Sequence, residues 1–160
     1  MTARNIFKRE EGFTLIELLV VIGILAILLA ITLIAINPAR QFGQANDTKR
    51  RSDANAILNA IGQYSASNTG NLPPEIVTLQ GAHPGVATEL NDTNFPNLCG
   101  QLVPTYVPAL PTDPVKNTQA GISVCAGTWG DTGYQVAVDA NGRVTVSAPS
   151  AYAGPITVTR

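Results

Sequence analysis

Apolar residues run almost unbroken over residues 13–36, where only Thr14, Glu17 and Thr32 are polar. Leu, Ile, Val and Ala face every direction of a helical wheel, and a helix without a polar face suits lipid or a bundle of packed helices. At about 1.5 Å per residue the segment makes a helix of roughly 36 Å, enough to cross a hydrocarbon core of about 30 Å. A cleaved secretory signal has a core of about 7–15 residues and then a small-residue A-x-A site. This core is longer, and no such site follows it. Asn37-Pro38 interrupts the run, and because Pro38 lacks an amide hydrogen the carbonyl of Ile34 loses its helical partner, so a kink or break is expected. Beyond it Ala54, Ile57, Leu58, Ile61 and Tyr64 form one stripe at 3.6-residue spacing, until Gly70, Pro73 and Pro74 stop it. The pattern predicts one long helix over about residues 13–67, greasy all round in its first half and amphipathic in its second.

The rest of the chain has another texture. Ten of the eleven prolines and ten of the fourteen glycines lie from Gly70 on, which excludes further long helices and predicts loops with short strands. One hairpin is readable in "YQVAVDANGRVTVSA", residues 134–148. A three-residue loop of Ala140, Asn141 and Gly142 sets Val138 opposite Val144 and Val136 opposite Val146, with Gly142 in the left-handed position. A last strand is expected in "PITVTR". The expected fold class is α+β: a long N-terminal helix packed on a small antiparallel β head.

Composition sharpens this picture only in part. The chain is 45% apolar and 13% charged with a net charge of −1, so bulk charge points to no nucleic-acid partner. Asp47 is placed to pair with Arg50 or Arg51, and Lys49 with Asp53. The two cysteines, Cys99 and Cys125, with the single histidine His83, are too few for a zinc site. Outside the cytoplasm a Cys99–Cys125 disulfide is reasonable and worth roughly 3 kcal/mol; two buried thiols are the alternative.

Glu17 is the residue that hydropathy does not explain, since a charge in hydrocarbon costs a few kcal/mol or more. Its surroundings, "KREEGFTLIELLVVIGILAI", closely resemble the N-terminal signature of type IV pilins and type II secretion pseudopilins. Lys8 and Arg9 match the basic leader, Gly12 its last residue, and Phe13, Thr14, Leu15 and Glu17 the start of the mature chain. The resemblance implies cleavage after Gly12 by a membrane prepilin peptidase and N-methylation of Phe13. It also implies assembly through the helix into a pilus or pseudopilus. Cleavage creates a positive amine at Phe13, and in the family the amine of a neighbouring subunit meets Glu17, a contact that sets register more than it adds stability. The division implied is a leader over 1–12, a transmembrane and assembly helix over 13–36, its amphipathic continuation over 37–68 and a β head over 69–160. Partners would be copies of itself, related pilin-like subunits, the peptidase/methyltransferase and an inner-membrane assembly platform. A basic leader places the N-terminus in the cytoplasm, but Arg40 and residues 49–51 compete under the positive-inside rule. The resemblance decides for an extracytoplasmic head.

The segment "YVPALPTDP", residues 106–114, resembles the proline-rich stretch of major pseudopilins. There a Trp-Gly after Asp-Pro helps hold calcium. Here Val115 stands in that place and Trp129-Gly130 comes later, which leaves Asp113 and Asp131 as weak calcium candidates and no cofactor expected. No phosphate loop or zinc-protease helix appears, and His83 in "GAHPG" reads as an exposed turn. The basic "TKRR", residues 48–51, reads as a solvated or intersubunit face rather than a phosphate-binding patch. No enzymatic activity is expected. A membrane-anchored binding module, such as a minor pilin presenting a DNA- or surface-binding head, is the competing function.

Overall fold

The computed structural model describes residues 12–116 and 121–160, so most of the leader, Lys8 and Arg9 included, lies outside the described residues. Two compact units divide the chain, Met1–Gln41 and Phe42–Arg160. In the first, helix α1 spans Leu15–Ile36, and none of its residues is buried among the described residues. Its 22 residues give about 33 Å, long and apolar enough to cross a membrane. Thr32 turns its hydroxyl back to the Leu29 carbonyl at 2.8 Å, which satisfies the one polar group in the middle of the run.

The interruption at Asn37-Pro38 divides the expected single helix in two. Asn37 takes a left-handed conformation (φ 47°, ψ 81°) that ends α1, and Pro38 opens helix α2, Pro38–Ser67. Asparagine tolerates that region better than other side chains, and proline at the first helical position has no amide to satisfy. Asn37 Oδ1 accepts the Arg40 N–H at 3.4 Å, so one residue closes the first helix and caps the second.

Along α2 the predicted stripe turns inward. Ala54, Ile57, Leu58 and Ile61 are buried, and Tyr64 sits at their margin, edge-on to Tyr106 with ring centroids 5.7 Å apart. They meet an antiparallel sheet of β1 (Thr88–Asn91), β2 (Asp131–Val138), β3 (Val144–Ala148) and β4 (Ile156–Thr159), in that spatial order. Alternate residues Tyr134, Val136 and Val138 of β2 and Val144, Val146 and Ala148 of β3 enter the same core. The hairpin has the expected register, Val138 opposite Val144 and Val136 opposite Val146. Gly142 has φ 82°, and the Asp139 carboxylate accepts the N–H groups of Asn141 and Arg143, both at 2.8 Å. The strand expected in "PITVTR" is β4.

Two short helices and one strand had no legible pattern. Helix α3, Pro74–Ala82, begins at the proline that stops α2, because proline is as good a first helical residue as it is a terminator. Helix α4, Leu98–Leu102, buries Leu98, Cys99 and Leu102. A disulfide joins Cys99 to Cys125 in the loop before β2. Trp129, also buried, donates its indole N–H to the Pro96 carbonyl at 3.3 Å.

Candidate functional site

The first turn of α1 holds the residues singled out for processing and assembly. Phe13 is 83% exposed, and Gly12 precedes it with open space around its Cα. Thr14 is the N-cap of α1 and Glu17 its third residue, and together they close a capping box. Glu17 Oε2 accepts the Thr14 backbone N–H at 2.8 Å and the Thr14 hydroxyl at 2.7 Å, while Thr14 Oγ1 accepts the Glu17 N–H at 3.3 Å. Two otherwise orphaned helix N–H groups are thereby satisfied. Glu17 thus has a partner inside its own chain, which the sequence reading did not assign. The signal was present as the Thr-x-x-Glu spacing ahead of an apolar run.

A second polar cluster lies under the head, and it corrects the reading of the basic stretch. Arg50 is 2% exposed and is not part of a solvated face. Its Nε and Nη2 donate to the two oxygens of Asp113 at 2.8 and 3.0 Å, and its Nη1 to Asp47 Oδ1 at 2.9 Å. Asp47 also accepts the backbone N–H groups of Tyr152 and Ala153 at 2.8 and 3.0 Å. Asp113 accepts those of Val115 and Lys116 at 2.9 and 3.1 Å. Helix α2, the segment before β2 and the loop between β3 and β4 are tied through one guanidinium. Burial alone would push both carboxyls up; the backbone N–H groups and Arg50 outweigh it and hold Asp47 and Asp113 below the usual carboxylate range. Arg50 is held above its ordinary value, first by its bonds to Asp113, against the opposing effect of burial.

Beside this cluster Lys49 and Asp53 pair at 2.7 Å as their spacing suggested, with the Tyr134 hydroxyl donating to the same Asp53 oxygen at 2.8 Å. Burial, then Asp53, pushes the Tyr134 phenol far up, so it serves as a donor. Arg51 and Thr48 are exposed.

The two calcium candidates have separate occupations. Both Asp113 oxygens face Arg50, and Asp131 Oδ1 accepts the Gly133 N–H at 2.8 Å. Among the described residues no three His, Cys, Asp or Glu side chains gather as a metal site. His83 ends α3, donates its backbone N–H to Leu79 and is exposed.

These features define a class: an apolar helix of membrane length, followed by a helix packed on a four-stranded antiparallel sheet, which is a pilin-like α+β architecture. Comparison with protein families is specific at the N-terminus, where residues 7–33 match the family model described as the prokaryotic N-terminal methylation motif. The chain therefore carries the motif typical of type IV pilin and type II secretion pseudopilin precursors. No curated protein and no solved structure matches the chain.

Proposed function

We propose that the chain is a structural subunit of a type II secretion pseudopilus or a type IV pilus. The observation that carries this is the coincidence of the methylation motif with α1: the motif runs from the leader into an apolar helix none of whose residues is buried among the described residues. In the membrane, lipid covers that helix; in a filament, the same helices of neighbouring subunits replace lipid.

Prepilin peptidase cuts after Gly12 and the new amine of Phe13 is methylated. The N-terminus lies on the cytoplasmic side of the inner membrane and the head on the other. A neighbour's Phe13 amine then approaches Glu17, whose Oε2 is held by Thr14. The capping box serves the monomer and the intersubunit contact serves the filament. An unpaired charge in hydrocarbon is costly, and docking a neighbour at the right offset removes that cost. The head carries no catalytic role in this reading; it forms the outside of the assembly. Preference for the pseudopilus rests on residues 106–114, whose Asp113 anchors the head to α2.

The mass of the mature N-terminus, in protein from its native host, reports cleavage and methylation together. Glu17→Gln keeps a capping acceptor and should insert normally while losing incorporation into filaments. A mature chain that is uncut, or normal filaments from Glu17→Gln, overturns the proposal.

A further inference from the structure

Within the unit Phe42–Arg160 the sheet ends in β1 on one side and β4 on the other. Val144 and Arg160 exchange both backbone hydrogen bonds, each at 2.9 Å, at the end of the β3–β4 ladder. Hydrogen-bonded pairs alternate in an antiparallel ladder, so Ile156 and Val158 turn their backbone groups toward β3, and Thr157 and Thr159 turn theirs outward. Among the described residues nothing donates to or accepts from those outward backbone groups. Both threonines are exposed, β4 pairs with β3 without a slip, and the strand contains neither a charge nor a proline.

The other edge is blunted. Carried across the sheet, the same alternation faces Thr88 toward β2 and Glu89 outward. The Glu89 carbonyl is filled by Asn94, whose Nδ2 donates to it at 2.9 Å. The ladder slips between Glu89 and Asn91, and the exposed Glu89 adds a charge. Slips, charges and covered edge groups are the devices by which a protein keeps an edge from pairing, and β4 has none of them. An edge left open in this way is a template for a further strand, and the spacing of its free groups says which strand fits.

We infer that β4 pairs antiparallel with β4 of a second copy of this chain, about a two-fold axis through Val158. Thr157 then stands opposite the partner's Thr159, and Thr159 opposite the partner's Thr157. Each of these pairs exchanges two backbone hydrogen bonds, which satisfies every outward group of Thr157 and Thr159 in both strands. Two four-stranded sheets become one continuous sheet. Sliding the pair so that Thr157 meets its own copy sets the Thr159 carbonyl against Pro155, which has no N–H, so the axis at Val158 is preferred. A neighbour's β1 is no substitute, because Asn94 already fills the Glu89 carbonyl there. The contact uses the unit Phe42–Arg160 by itself and is independent of the role proposed for α1.

The test uses the full chain in detergent with its disulfide intact, so that Thr157→Cys or Thr159→Cys supplies the only free thiol. Opposed residues of a hydrogen-bonded pair lie about 5.5 Å apart at Cα, within disulfide reach. Thr157 and the partner's Thr157 are offset by two further residues along the strand, beyond the limit of about 7 Å. Oxidation of an equal mixture of the two variants with copper phenanthroline should therefore give several-fold more cross-linked dimer than either variant alone. Thr157→Pro removes an outward donor and leaves the ladder to β3 untouched. Sedimentation velocity should show a dimer in the parent that this variant loses, with its melting midpoint near that of the parent. Equal cross-linking in all three samples, or a parent that sediments as a monomer at every concentration, overturns the proposal. So does a dimer that persists unchanged in Thr157→Pro, which assigns association to α1. Where Thr157→Pro fails to fold, the cysteine pair decides alone.

Discussion

Replacing Arg50 by methionine removes the guanidinium from between Asp47 and Asp113 while keeping most of the apolar stem. Three charge-assisted hydrogen bonds disappear, at 2.8, 2.9 and 3.0 Å, and two carboxylates that are 6% and 0% exposed lose their cation. Each such bond is worth about 1.5–3 kcal/mol. Both acids keep two backbone N–H donors, which limits the loss. Breaking a buried ion pair from one side costs about 3–5 kcal/mol, and that range is the expected destabilisation of the unit Phe42–Arg160. For a domain of this size it corresponds to a Tm lower by about 10–25 °C. Thermal melting of the purified full chain in detergent reads the change, followed by far-ultraviolet circular dichroism. A cycle with Asp113→Asn separates coupling from packing. If Arg50→Met melts within a few degrees of the parent, or if the two changes add to within about 0.5 kcal/mol, the guanidinium does not hold the head to α2 and the reasoning fails.

The remaining predictions concern the same unit and the assembly helix. Asp47 and Asp113 have depressed folded values, so their contribution is present above the unfolded pKa of about 3.9 and lost as pH falls through the folded values. Melting should be flat from neutral pH to about pH 5 and fall steeply below, and the fall should be smaller in Arg50→Met; an equal fall in both would contradict the assignment. Cys99 and Cys125 are 26 residues apart, and reducing the bond should lower stability by roughly 3 kcal/mol; intact mass with and without reductant, then denaturant midpoints, check it. Because Arg50 already neutralises Asp113, neither calcium nor a chelator should move the melting midpoint, and a clear rise with calcium would show oxygen ligands other than these. Glu17→Gln should fractionate with membranes like the parent yet be absent from sheared filaments, as immunoblotting of both fractions would show.

Much of this molecule is written in local spacing. The uninterrupted run of α1, the stripe Ala54, Ile57, Leu58, Ile61 and the valine register of the β2–β3 hairpin each depend on residues a few positions apart. Periods of 3.6 and 2 carry that information without reference to the rest of the fold. The Thr14–Glu17 box is local in the same sense, and its spacing suffices to place it.

Tertiary structure alone decided the fate of the charges and the prolines. An Asp47–Arg50 pair at i,i+3 looks the same in sequence whether water or protein covers it. Only the arrival of Asp113, 63 residues away, and of the Tyr152 loop makes it a buried tie. Pro74 reads equally as the end of one helix and the start of the next, and burial of Ile76 and Leu79 selects the second. Burial is a property of the assembled surface, so no window of neighbouring residues contains it. That is why the apolar run, the stripe on α2 and the β2–β3 hairpin were legible in the sequence, while α3, α4, β1 and the contacts fastening the elements together were not.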